Sequence, residues 1–224
     1  MIVMNKIDLI PRDTVIAIAG TVGIGKTTLA KRLAEVLHFR TSLEEIDNNP
    51  YLEKFYQNFE RWSFHLQVYF LSERFKNQQR IYEAGGGFVQ DRSIYEDHDI
   101  FARMQYETGT MTEIDYQTYY SLFESMVMTP YFQHPDLLIY LEGSFDDILR
   151  RIQTRGRKME QETPVSYWEE MYNRYDNWIN QFQACPVLRI NMKEYDIVYD
   201  PSSIAMIVDK IAEKISCRDK KDIE

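Results

Sequence analysis

Short continuous apolar runs alternate along the chain with longer stretches whose apolar positions recur every three or four residues. The run "TVIAIA" (14–19) is rich in β-branched residues, which predicts a short buried strand. "GTVGIGKTT" follows, and "KTTLAKRLAEVL" (26–37) then has the spacing of an amphipathic helix. A second strand is expected ahead of Glu44. Further helices are predicted over 61–84, 95–107, 112–128, 144–155, 164–183 and 201–216, and further strands at "FVQD", "DLLIYLE" (136–142) and "VLRIN". "GGG" at 85–87 marks the end of the long helix, and 156–163 reads as a polar break. Strands alternating with helices predict a parallel α/β sheet with helices on both faces. There is no repeat and no low-complexity linker. The expectation is one domain over 1–224, with residues 1–12 and about 217–224 peripheral and "RDKKDIE" a solvated tail.

Charge narrows the partners. The chain has 35 Asp plus Glu against 26 Lys plus Arg, a net charge of -9, which argues against a nucleic acid partner. Its two cysteines, Cys185 and Cys217, and the absence of a Cys/His cluster argue against a disulfide framework or a zinc site. No run has signal-peptide layout or bilayer-spanning length, so the expectation is a soluble cytoplasmic protein without a membrane partner.

The glycine loop carries the clearest chemistry. Gly20, Gly25, Lys26 and Thr27 satisfy G-x-x-x-x-G-K-[ST] between a predicted strand and a predicted helix, the context the phosphate loop requires. Backbone N–H groups from Gly20 through Thr21, Val22, Gly23, Ile24, Gly25, Lys26, Thr27 and Thr28 can converge on the phosphates of a nucleoside triphosphate, with Lys26 on the terminal phosphates and the Thr27 hydroxyl on Mg²⁺. The loop says what is held and leaves open what is done with it.

Three further groups bear on that question. Glu44 or Glu45, just past the second strand, can accept a proton from a hydroxyl or hold Mg²⁺ through water; the plain alternative is a solvated acidic loop. Asp91 and Arg92 sit at the carboxyl end of a strand, where α/β sheets bind ligands, and either handle metal and phosphate or form a structural salt bridge. "RRIQTRGRK" gathers Arg150, Arg151, Arg155, Arg157 and Lys158, either a solvated basic face or a lid over developing phosphoryl charge. On the long helix, Gln67, Phe70, Leu71 and Arg74 share one face. Such a stripe is usually core, but a buried glutamine and arginine need partners. The Gln67 amide can pair with the edge of adenine or cytosine, and by flipping with other bases. An arginine beside it, held by Asp97, favours bases that present acceptors.

Together, "GTVGIGKTT", "NNPYLEKFY", "FERWSFHLQVYFL", "GGGFVQDRSIYED" and "RRIQTRGR" resemble the deoxynucleoside kinases, and within them the bacterial deoxyadenosine/deoxycytidine kinases of Bacillus type, from about residue 12 to 200. The resemblance implies a homodimer with a P-loop kinase fold and a five-stranded parallel sheet. It implies transfer of the ATP γ-phosphate to a deoxynucleoside 5′-hydroxyl. By position it makes Glu44 the general base and puts Asp91 and Arg92 near Mg²⁺ and the reacting phosphate. Gln67, with Arg74 and Asp97, falls at the base, Phe101 stacks on it, and Tyr56 and Glu160 bind the sugar 3′-hydroxyl. Arg151, Arg155 and Arg157 become the lid. The chain departs from the family's eukaryotic members at Asp91, where they carry Glu, and at Phe70, where they carry a small residue. Glu45 stands where proline often follows the base. Alternative readings are a deoxyguanosine kinase, a thymidylate-like nucleoside monophosphate kinase, or a nucleotide switch. "NMKEYD" (191–196) superficially resembles the guanine-reading signature of switches, with the wrong spacing.

Overall fold

In the computed structural model, which describes residues 6–44, 46 and 48–219, "TVIAIA" forms β1 (Val15–Ala19), buried at every position. α1 (Lys26–Leu37) follows the glycine loop, and β2 (Arg40–Ser42) leads to Glu44. Next come α2 (Leu52–Gln57), the long α3 (Phe59–Ala84) and β3 (Phe88–Asp91). Residues 94–107 are one helical run made of α4 (Ile94–Glu96), a π-helical segment (Asp97–Ala102) and α5 (Arg103–Glu107). The rest is α6 (Glu113–Val127), β4 (Leu137–Glu142), α7 (Phe145–Arg155), α8 (Lys158–Gln161), α9 (Val165–Gln181), β5 (Val187–Asn191) and α10 (Pro201–Asp219).

The strands pair in the order β2-β3-β1-β4-β5, all parallel, as expected of a five-stranded sheet. Register sets the site. Ile18 lies opposite both Asp91 and Ile139, and Ser42 lies opposite Gln90. The glycine loop, Glu44 and the Asp91–Arg92 pair therefore leave the sheet at one height, at its carboxyl edge. The main core joins β1 and β4 to Leu29 and Leu33 of α1, Trp168 and Tyr175 of α9, and Ile207 and Ile211 of α10. A second core of Leu71, Ile94, Tyr119 and Phe132 packs α3 against α6, so Leu71 leaves the Gln67–Arg74 stripe for packing.

Four expectations change. The loop after Glu44 contains α2, because Asn49 Oδ1 accepts the Tyr51 and Leu52 N–H groups and Phe55 is buried. The polar break contains α8, a single turn anchored by the ion pairs of Glu160 and so without an apolar period. The helix at 95–107 is π-helical over six residues. The segment before residue 12, expected to be peripheral, contributes Ile10 to the core. α3 begins two residues earlier than its apolar pattern, where the Asn58 side chain accepts from Arg61 N–H, and ends at Gly85. Gly86, at φ 86, abuts the Asp13 carbonyl so closely that a Cβ there has no room. "RDKKDIE" lies outside the described residues from residue 220 onward, and α10 runs into its start. Among the described residues no helix is long and apolar enough to cross a membrane.

Candidate active site

The loop from Gly20 to Gly25 turns with Gly20, Gly23 and Gly25 at φ 142, 82 and 114. Gly25 caps α1 without any side-chain hydrogen bond, leaving the first N–H groups of the helix for an anion. Lys26 is buried, and its Nζ donates to the carbonyls of Gly20 (2.7 Å) and Thr21 (3.0 Å). Burial, helped by the nearby Arg92 charge, lowers its pKa to about 8. The Thr27 hydroxyl donates to Asp91 Oδ2. Asp91 Oδ1 is buried with no hydrogen-bond partner. One carboxylate and one hydroxyl with a vacant lone pair between them suit a hard cation such as Mg²⁺, which takes few protein ligands beside phosphates and water.

A cleft opens beside Lys26 and Thr27. Glu44, Asp91, Arg92 and Asp97 line it, together with Gln67, Phe70 and Phe101. Tyr56, Arg155, Arg157 and Glu160 line the side facing α7 and α8. Glu44 Oε1 is 3.2 Å from Arg92 Nε and 3.8 Å from Arg74 Nη2. Burial pushes the Glu44 carboxyl up, but Arg92, Arg74, Lys26 and Arg157 outweigh it and hold its pKa below the ordinary value. Glu45 lies outside the described residues. Gln67 is 2% exposed and its Oε1 has no hydrogen-bond partner, so it offers the cleft an acceptor. Burial, with Tyr167 and Glu160 nearby, raises the Tyr56 pKa, which keeps its hydroxyl a donor. The Arg92 guanidinium stands over the Phe101 ring at 4.5 Å, and the Arg92 backbone is left-handed, at φ 77.

Arg74 is placed differently from the expectation. It stands behind the cleft wall, not on it, with Nε and Nη2 on Asp97 (2.9 and 3.4 Å) and Nη1 on the carbonyls of Asp91 and Arg92 (3.1 Å each). Its donors are taken up by the protein, because a buried guanidinium needs them paired. It lies behind Asp97, which lines the cleft. The basic cluster also divides. Arg155 and Arg157 pair with Glu160 at the cleft, and Arg151 Nη1 donates to the Ile24 carbonyl behind the loop. Arg150 and Lys158 pair with Asp147 and Glu162 at the surface.

Sequence reasoning missed two elements. The stretch from Met192 to Val198, which includes most of "NMKEYD", joins Arg151 and Thr28 around a second groove on the far side of the loop. The Tyr175 hydroxyl accepts from Arg92 Nη1 and donates to Glu96 Oε1 at 2.8 Å. Its spacing with Trp168 and Met171 reads as ordinary core, and only its hydroxyl sets it apart.

A model of the deoxynucleoside kinase family matches residues 16–216. The chain is 64% identical over 212 residues to a deoxyadenosine/deoxycytidine kinase of Bacillus subtilis (strain 168), covering 95% of this chain and 98% of that one. It is 40% identical over 196 residues to a deoxyadenosine kinase of Dictyostelium discoideum, covering 87% and 78%. A solved structure of deoxyadenosine kinase from M. mycoides, with dCMP and a flexible dCDP bound, matches with a TM-score of 0.78 at 28% identity, covering 89% of this chain and all of that one.

Proposed function

The chain belongs to the deoxynucleoside kinase family, and we propose that it transfers the γ-phosphoryl group of ATP to the 5′-hydroxyl of deoxyadenosine and deoxycytidine. One observation carries the reading: an ionised Glu44 faces Arg92 in a cleft that opens directly onto Lys26 and Thr27 of the phosphate loop. A hydrolase or switch has no need of a second, aromatic-lined cleft at that position, and an acceptor nucleoside does.

The residues divide the work. N–H groups from Gly20 to Thr28 hold the triphosphate, with Lys26 turning from its carbonyl partners to the terminal phosphates. Thr27 and Asp91 would hold Mg²⁺, which would neutralise charge on the triphosphate. Glu44 takes the proton of the 5′-hydroxyl as that oxygen bonds to the γ-phosphorus and the bridging oxygen leaves with ADP. Arg92, joined by Arg155, Arg157 and Arg151, offsets charge on the transferred group.

Gln67 accepts from the exocyclic amine of the base while its amide N–H donates to the neighbouring ring nitrogen, a pattern adenine and cytosine share. Phe101 and Phe70 flank the base, and Tyr56 and Glu160 hold the 3′-hydroxyl. The protein acts as a single kinase domain in the cytoplasm and pairs as a homodimer. The largely uncharged outer face of α6, with Ile114 80% exposed and Met128 just beyond it 85% exposed, supports the pairing. Sedimentation that gives a monomer would remove it.

The test is a panel of deoxynucleosides, ribonucleosides and nucleoside monophosphates with radiolabelled ATP. Labelled dAMP and dCMP from their nucleosides are expected. Label entering monophosphates alone, or deoxyguanosine ahead of both, would overturn the assignment.

A further inference from the structure

Glu96 lies beneath the phosphate loop, 0% exposed, and takes no part in the chemistry given to Glu44, Asp91 and Arg92. Its local position gives it one job. As the third residue after Ser93 it closes a capping box, and Oε2 accepts the Ser93 N–H at 2.8 Å and the Ser93 hydroxyl at 3.2 Å. That job uses one oxygen, and a glutamine performs it equally well.

The other oxygen reaches away from its own helix. Oε1 accepts the Gly20 N–H at 3.3 Å and the Tyr175 hydroxyl at 2.8 Å, and lies 3.6 Å from Arg92 Nη1. Arg92 donates to that same Tyr175 hydroxyl. A single buried oxygen thus joins the first residue of the phosphate loop to the arginine that faces the transferred group, although Gly20 and Glu96 are 76 residues apart. A cap alone does not require a buried charge at this place, and burying one costs stability unless its partners repay it.

We propose that Glu96, together with Tyr175, is a positioning residue for phosphoryl transfer: its Oε1 fixes the separation of the Gly20 amide and the Arg92 guanidinium, and so aligns the donor loop with the arginine. This rests on Arg92 acting on the transferred phosphoryl group. Arg92 holds a left-handed backbone and packs on Phe101, so its guanidinium needs an anchor on the side away from the cleft.

Glu96→Gln tests it, because Gln keeps the capping box through its oxygen and turns an NH₂ toward Gly20 N–H, Tyr175 and Arg92. Donor then faces donor, and the alignment is lost while the helix start is kept. The turnover number is expected to fall about 10- to 100-fold, the scale of a misplaced reacting group. The KM for ATP rises with it, and the KM for deoxyadenosine stays, because Gln67, Tyr56 and Phe101 do not touch Glu96. Tyr175→Phe shifts the same parameters in the same direction.

The decisive measurement is a double-mutant cycle with Arg92→Lys. If Glu96 works through Arg92, Glu96→Gln costs little more in that background. An equal loss in both backgrounds would overturn the proposal, as would a lowered melting temperature with unchanged turnover per folded enzyme. If Glu96→Gln does not fold, Tyr175→Phe in the same cycle decides, and additivity there refutes. A wild-type protein that labels no deoxynucleoside defeats the kinase assignment itself, whereas an active wild type with an unmoved Glu96→Gln defeats only the role of Glu96.

Discussion

Replacing Glu44 by Gln separates proton acceptance from everything else the cleft does. The side chain keeps its shape and its place 3.2 Å from Arg92 Nε. What it loses is the negative charge and the ability to take a proton. The fold tolerates the change, because three buried cations, Lys26, Arg74 and Arg92, share this site with four buried or half-buried carboxyls, Glu44, Asp91, Glu96 and Asp97. Neutralising one carboxyl leaves three of each, so no cation is stranded and the melting temperature moves little. The rate does not tolerate it. A positioned general base contributes about 10²–10⁴-fold, equal to roughly 3–5 kcal/mol of barrier.

Initial rates with deoxyadenosine and deoxycytidine give the loss, and calorimetric titration with ATP shows that donor binding survives it. The pH profile gives a second check with a fixed sign. Glu44 works as a carboxylate, so activity is present above its pKa and is lost as pH falls through it. Because the arginines hold that pKa below the ordinary glutamate value, wild-type kcat/KM has no Glu44 limb near neutrality. Turnover of Glu44→Gln equal to wild type would refute the assignment. Loss in Glu45→Gln instead would move the base by one residue.

Arg74→Gln lowers turnover for every deoxynucleoside, because Arg74 holds the carbonyls of Asp91 and Arg92. Combined with Asp97→Asn it also reorders the preference among bases, and unchanged relative rates across the four deoxynucleosides would exclude the pair from base choice. Glu160→Gln raises the KM for deoxyadenosine but leaves that for its 3′-deoxy analogue, which kinetics on the two substrates compare directly; equal effects on both would exclude Glu160 from the 3′-hydroxyl. Lys26→Met abolishes transfer and exposes a linkage in the nucleotide-free protein. With the native pKa lowered to about 8 against 10.5, the unfolded chain binds more protons between those values. Wild-type stability relative to the variant therefore rises as pH climbs through that window, by roughly 3 kcal/mol at most, and denaturant titrations showing a flat or falling difference would contradict it.

The features legible in the sequence are those whose cause is local. β1, the glycine loop and α1 follow one another in a pattern of fixed spacing, and the parallel sheet follows from alternation of strand and helix. What was not legible depends on contacts between distant segments. α2 and α8 are short turns held by Asn49 and by the Glu160 ion pairs, with no apolar period to betray them. The π-helical segment packs against α3 and α9, and no local propensity encodes that widening of the helix. Spacing showed that Arg74 lies on the buried face of α3, but could not show that backbone carbonyls of β3 and the following turn would take two of its donors.

That last contact bears on how base choice and chemistry are connected. Arg74 holds Asp97 with one edge of its guanidinium and the Asp91–Arg92 turn with the other. A substitution at Arg74 or Asp97 made to change the base therefore also loosens the residues proposed to carry metal and phosphate. Among the described residues Phe70 has no such second attachment. It lines the cleft, is half-buried, and makes its aromatic contact with Tyr69 on its own helix. With the roles proposed for these residues, base range and turnover separate at Phe70 and stay joined at Arg74, so a wider base pocket that preserves the reacting geometry is to be sought at the aromatic side chain, not at the arginine behind it.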